Sequence, residues 1–372
     1  MTDRDSLVVG GGFHGSMIAC HLAARGQRVL LVEKQADLLR RASFVNQARL
    51  GPGYSTDLSS PLPARWRAER FHQDFRHCLW HDRPALYAVG RSHPKLTARQ
   101  FHAYYRQLGI PIEEAPDTCR RLFDPAHIEA VFRASDTMVD VELLRREIWR
   151  RLEASGVQVA LSSEVHQVQA TRGGRLRVRL DTAGVERTLE VPQVFNCAYS
   201  QINRLLQRSR LQPVPLRYEL MELALVDVPG QLRTQGVTVL SGPCFSLIPF
   251  PTTTHHSLSH VRFSPHASWT ELGGGQPSPD EILAEVSTQT GFERMRREAS
   301  RYMPMLGELQ YQRSLWEVKA TPDGGQEECA FFWPHAGLPH LHAVLGTRLE
   351  GIYDILEAVD RVLTGRSVAI AA

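Results

Sequence analysis

Two segments in the second half of the chain carry side chains that could act on a small molecule. Over residues 216–226 polar and apolar residues alternate, and a side-chain period of two places Tyr218, Leu220 and Glu222 on one face. Residues 257–263 alternate in the same way and place Leu258, His260 and Arg262 on one face. Turned toward a common site, these faces would offer a phenol, a carboxylate, an imidazole and a guanidinium. Arg262 could clamp a carboxylate through two parallel N–H bonds, because the guanidinium fork matches that anion. His260 or His256 could take a hydroxyl proton, since imidazole titrates near neutrality. Taken singly, each residue reads more readily as a surface or hydrogen-bonded sheet residue. His255, His256 and His260, and again His335, His340 and His342, have spacings loosely like metal ligands. No helical H-E-x-x-H accompanies them, so no metal is expected. No nucleophile elbow supports Ser-His-Asp catalysis.

A second constellation opens the chain. The short apolar run at residues 6–9 leads into Gly10-Gly11-Gly12-Phe13-His14-Gly15, then into a segment with Met17, Ile18, Leu22 and Ala23 at helical spacing, closed by Gly26. A second apolar run, residues 29–32, ends at Glu33 and Lys34. This predicts strand, glycine turn, helix, strand and acidic residue. Gly10 permits the turn, Gly12 lets the backbone approach a pyrophosphate, and Gly15 lets helix and strand pack closely. The helix start offers N–H groups and partial positive charge to that pyrophosphate. Glu33, 18 residues past Gly15, is placed to accept from ribose hydroxyls and disfavours a 2′-phosphate, hence NADP. The next segment, residues 42–54, is a polar, glycine-bearing loop after a short basic helix expected at 38–41. An NAD dehydrogenase would be expected to show another strand there.

Composition bounds what these elements can belong to. The chain has 372 residues, enough for two domains or for one nucleotide-binding domain with a large insertion. With 42 % hydrophobic and 22 % charged residues it can bury a sizeable core and is not a disordered chain. The 43 Lys and Arg against 40 Asp and Glu leave +3, too little to imply nucleic-acid binding. No run reaches the roughly 18–20 apolar residues of a membrane span, and the start does not read as a signal peptide. Six scattered cysteines without C-x-x-C spacing fit a reducing, cytoplasmic setting.

The loop and its neighbours resemble the D-amino-acid-oxidase-like family of FAD-dependent oxidoreductases, the group that contains glycine oxidase and sarcosine oxidase. Within it the chain is most similar to a less characterised branch with a motif like ASxxNQARxHxGYHYPRS. Ala42, Ser43, Asn46, Gln47, Ala48, Arg49, Gly53 and Tyr54 match; Gly51-Pro52 and Ser55-Thr56-Asp57 depart. The resemblance implies that residues 43–49 run beside the pyrophosphate and isoalloxazine, and that the backbone of Val165 meets the adenine. It further implies that a strand-to-loop at 193–200, with Ala198, approaches the cofactor. In the last strand–turn–helix, Gly346, Arg348, Leu349, Gly351 and Ile352 would contact the flavin. Family members that oxidise amino acids bind the substrate carboxylate through an Arg on the strand before that element. Here Lys319 stands in the matching place, a point charge instead of a planar fork.

The implied fold class is α/β: a Rossmann-type FAD-binding domain from residues 1–82, 139–212 and 318–372, interleaved with an α+β substrate domain on an antiparallel sheet from 83–138 and 213–317. A hairpin is expected at 176–180 and 188–191. FAD is expected to be held without a covalent bond, since Cys329 lies in no attachment motif. The implied activity is hydride transfer to flavin N5 from a carbon next to nitrogen in an amino acid or small amine. Oxidation of a C–OH bond, a flavoprotein scaffold without turnover, and an NAD enzyme are the alternatives.

Overall fold

The computed structural model describes residues 4–47, 49–50, 61–91, 97–107, 109–240, 244–251, 253–270, 277–285, 289–324 and 330–365, with backbone only for 61–65. Two large sheets organise them. The first has six strands in the order Ala330–Pro334, Leu341–Gly346, Gln193–Asn196, Ser6–Val9, Val29–Val32 and Gln158–Ala160. Its strands run parallel except for the antiparallel edge Ala330–Pro334. Ser6–Val9 and Val29–Val32 are buried at every residue. That is why they read as unbroken apolar runs: both faces of a parallel sheet are covered. Helices Phe13–Ala23, Val141–Ala154 and Ile352–Leu363 cover one face. Helix Ile202–Arg208 and a three-stranded antiparallel sheet, Ser163–Ala170, Leu176–Thr182 and Val185–Val191, cover the other. The hairpin expected at 176–191 is part of it.

The second sheet is mostly antiparallel and runs Pro265–Thr270, Leu216–Asp227, His256–His260, Phe245–Pro249, Gly236–Leu240, Leu79–Gly90, Ile128–Val139 and Arg49–Leu50. Gln310–Pro322 pairs with Leu216–Asp227 along its whole length. Residues 49–50, 79–82, 139 and 318–322, expected in the nucleotide half, therefore belong to this sheet. Helix Phe292–Tyr302 packs Met295 and Ala299 against Ala224, Val226 and Leu258 on its back. Helix Ala98–Gln107 lays Phe101 and Tyr105 on Tyr87 and Phe132 of the other face. Two local expectations fail. Residues 38–41 form turns, with Leu39 at φ 56, in place of a helix, and the strand expected over 257–263 stops at His260. Among the described residues no helix is long and apolar enough to cross a membrane.

Candidate active site

A cavity of about 1200 Å³ opens between the two sheets. Its nucleotide end is built by the glycine turn. Gly10 has φ +102, and a methyl there would meet the Cys197 carbonyl at the end of the neighbouring strand; one on Gly15 would overlap the Gly10 carbonyl. Turn, helix and adjacent strand end therefore touch backbone to backbone. Gly12, the residue before helix Phe13–Ala23, offers no side-chain cap, and Gly12, Phe13, His14 and Gly15 all line the cavity. A helix start without an internal cap is suited to an anion such as a pyrophosphate. Glu33 is engaged twice by the chain itself: one oxygen accepts the Gly11 N–H at 2.5 Å and the other the Gln35 N–H at 2.7 Å. Burial pushes its pKa up, against the backbone N–H groups of Gln35 and Gly11 that favour the anion. Glu33 thus shapes the turn while also lining the cavity.

The segment after residue 40 crosses from one sheet to the other. Ser43 Oγ accepts the Phe13 N–H at 3.1 Å, which ties the loop to the helix start. Asn46 donates to the carbonyls of Ala42 and Ser43 at 2.8 and 3.0 Å and so holds its own turn. Gln47 accepts the Ser246 hydroxyl at 2.6 Å, and Arg49 reaches Thr238 at 2.8 and 2.6 Å. Both partners belong to the second sheet. Arg41 grips Glu317 through two bonds of 3.0 and 2.9 Å and Asp280 at 2.7 Å; Lys34 reaches Asp280 at 2.9 Å. These ties had no sequence signal, since the partners lie 189 to 276 positions away. Ala48 and Cys329 lie outside the described residues.

The closing element meets the glycine turn directly. Gly346 leaves room for the His14 ring, which a methyl group would overlap. His14 Nε2 donates to the Arg348 carbonyl at 3.1 Å, and burial pushes its pKa down to about 4, so the imidazole is neutral. Gly346, Arg348 and Leu349 line the cavity; Gly351 and Ile352 are buried and do not. Val165 and Ala198 line its nucleotide half. Tyr199, beside Ala198, has φ +53, and its hydroxyl accepts the Ala320 N–H at 3.3 Å, joining the two sheets.

Three of the four expected catalytic side chains are not at this cavity. Tyr218 is 1 % exposed, stacks on Trp269 with ring centroids 5.4 Å apart, and meets Asn203 Nδ2 at 3.2 Å. His260 is fully buried on the helix side of its strand, and its Nδ1 accepts the Arg262 N–H at 3.1 Å. Arg262 lies in the turn beyond the strand and is exposed. The alternation was right, but the face was the wrong one. Both faces of this sheet are covered, so polarity alone could not say which looks inward. Ser259 and Val261 line the cavity in place of His260 and Arg262, and Met221 and Leu223 in place of Tyr218. Glu222 touches the lining, but its fully buried carboxylate is spent on the Thr290 and Ser314 hydroxyls, the Gly291 N–H at 2.7 Å and His266 at 2.8 Å. Lys319 does line the cavity, at an exposed position. Among the described residues no group of three His, Cys, Asp or Glu could hold a metal ion.

A parallel sheet with a glycine turn, an acidic strand end and a cavity walled on its far side by an antiparallel sheet defines a dinucleotide-dependent oxidoreductase. The family is settled by sequence: the profile of the FAD dependent oxidoreductase (DAO) family matches residues 5–351, and the chain belongs to that family. It is an enzyme, and its cofactor is FAD. No curated protein matches the chain. Among solved structures it is similar to glycine oxidase from Geobacillus kaustophilus, at 17 % identity and TM-score 0.67 over 100 % of this chain and 97 % of that one. NikD, an amino acid oxidase of nikkomycin biosynthesis, aligns at 15 % identity and TM-score 0.73 over 100 % and 96 %. The FAD-bound L-alpha-glycerophosphate oxidase from Mycoplasma pneumoniae aligns at 14 % and 0.73 over 100 % of both. At these identities the likeness is one of fold.

The residues present fit FAD. The cavity runs without interruption from Glu33 and Val165, past the helix start, to the second sheet, and exceeds the ~300–1,000 Å³ of a drug-sized site. That leaves space for a dinucleotide and a small substrate together.

Proposed function

We propose that this FAD-dependent oxidoreductase oxidises the C–N bond of an amino acid or related small amine. When bound, the flavin supplies the hydride acceptor at N5. Gly10, Gly12, Gly15, Glu33 and Val165 would hold its nucleotide portion, and Ser43, Asn46, Gln47, Gly346 and Arg348 would flank the ring. The observation that carries the reading is the lining of the second-sheet wall. Met221, Leu223, Val239, Leu240, Phe245 and Val261 give it a continuous apolar stretch beside the polar Arg49, Thr238, Ser246, Ser259 and Lys319, and the only imidazole among the described lining residues is His14, already donating to Arg348.

Such a wall suits an amine. Apolar surroundings disfavour an ammonium and keep the nitrogen neutral, and its lone pair then drives hydride from the adjacent carbon without a base. An alcohol needs a group to remove its hydroxyl proton. The residues considered for that task, His256 and His260, do not line the cavity. On this reading the nucleotide half comprises residues 1–82, 139–212 and 318–372 and the substrate half 83–138 and 213–317, apart from 49–50, 79–82, 139 and 318–322, which join the substrate sheet. The five free cysteines among the described residues suit a cytoplasmic setting. The test is anaerobic mixing of the yellow protein with amines, amino acids and hydroxy acids. Bleaching of the flavin band by an amine is expected; bleaching by hydroxy acids alone, or by nothing, overturns the reading.

A further inference from the structure

Arg49 was expected to serve the cofactor, and its side chain reaches across the second sheet to Thr238. Its strand, Arg49–Leu50, is the edge of the second sheet, paired with Ile128–Val139. From there the guanidinium lies along the cavity face of three further strands. It sits 3.6 Å from the Asp136 carboxylate, 5.7 Å from the centre of the Tyr87 ring, and 2.8 and 2.6 Å from Thr238 Oγ1. Tyr87 donates its hydroxyl to Asp136 from behind. The Arg49 side chain is 3 % exposed. Arg49 and Thr238 line the cavity, whereas Asp136 and Tyr87 do not.

We infer that Arg49 and Thr238 form a subsite for an anionic group of the substrate, a carboxylate or a phosphate. Thr238 Oγ1 accepts from both terminal nitrogens of the guanidinium, so its own proton points away from Arg49. A hydroxyl polarised in this way is a strengthened donor. The cavity is therefore met by donors, while the balancing carboxylate stays behind them. A guanidinium braced by Asp136, Tyr87 and Thr238 has little freedom left to lose when an anion binds. Lys319 is the competing anchor at the opposite edge of the sheet. It is exposed, where water screens an ion pair and weakens it. The inference deepens the amine-oxidation reading by naming the group that orients the substrate, and it rests on that reading for which molecule carries the anion.

The test needs no turnover. FAD-loaded protein is titrated with acetate, propionate and butyrate, with inorganic phosphate, and with uncharged acetamide, and the visible flavin band is followed. A saturable change with carboxylate or phosphate, and none with acetamide, is expected; the two anion arms say which group the site prefers. Arg49→Met should weaken the response at least about tenfold and Thr238→Val roughly three- to tenfold, with Lys319→Met within about twofold of wild type. Should Arg49→Met not retain FAD, Arg49→Met/Asp136→Asn removes both charges and takes its place beside Thr238→Val. Wild-type protein unresponsive to every anion, variants at Arg49 and Thr238 that titrate like wild type, or loss confined to Lys319→Met would each overturn the inference. Anion binding without bleaching by any amine would sink the amine reading alone.

Discussion

Gly346→Ala is the sharpest probe of how the two ends of the chain meet. The added methyl would occupy the space of the His14 ring, which is held by its bond to the Arg348 carbonyl 334 positions away. The ring sits at the start of helix Phe13–Ala23, so it cannot withdraw without breaking that bond. Forcing an extra methyl into a packed site costs about 1–3 kcal/mol, and the lost hydrogen bond about 0.5–1.5 kcal/mol. A destabilisation of about 2–4 kcal/mol is expected in equilibrium urea unfolding of the FAD-loaded protein. The same overlap predicts rescue: in His14→Ala/Gly346→Ala the second methyl enters vacated space. The double variant should be more stable than the two single losses imply, by about 1 kcal/mol or more. Additivity within about 0.5 kcal/mol, or a neutral Gly346→Ala, would refute this contact.

Arg41→Met strands the Glu317 carboxylate, 5 % exposed, without its two guanidinium bonds, and a loss of about 3–5 kcal/mol is expected; Arg41→Met/Glu317→Gln should restore most of it in the same unfolding assay. His342 is buried between Phe195 and Phe332 with neither ring nitrogen bonded among the described residues, so His342→Leu should raise stability by about 1–2 kcal/mol. Burial, then His340, pushes the His342 pKa from 6.5 down to about 4, so the unfolded chain takes up a proton before the native one does. Native stability should therefore fall as pH drops from 6.5 toward 4, and urea midpoints across that range should fall less steeply in His342→Leu, where His14 and His256 still contribute. Arg262→Ala and His260→Ala should leave the rate of flavin bleaching by an amine substrate within about twofold, because neither side chain lines the cavity. A tenfold drop in either would mean that the wall is assigned to the wrong face of its strand.

The nucleotide half was legible along the chain because its grammar is local. Gly10 to Gly15, the helix period through Leu22 and the carboxylate of Glu33 fall within about thirty residues, and each follows from backbone sterics or helix geometry. The alternation in residues 216–226 was equally legible, as was the polar loop that led to the family resemblance. Whether Tyr218 or Met221 faced the cofactor was not. Period two specifies two faces and names neither, and here Trp269 and Asn203 close over Tyr218 on one face while Met221 and Leu223 meet the cavity from the other. The turn at 38–41 was missed for a related reason: its Arg41 is fixed by Glu317 and Asp280, partners that only the folded chain brings near. The sequence by itself thus determined the strand–turn–helix that grips a dinucleotide, since those contacts lie between near neighbours. Only the tertiary structure decided which side chains wall the cavity and that Arg49 lies against Thr238, because those depend on sheet order and on which face each strand turns inward.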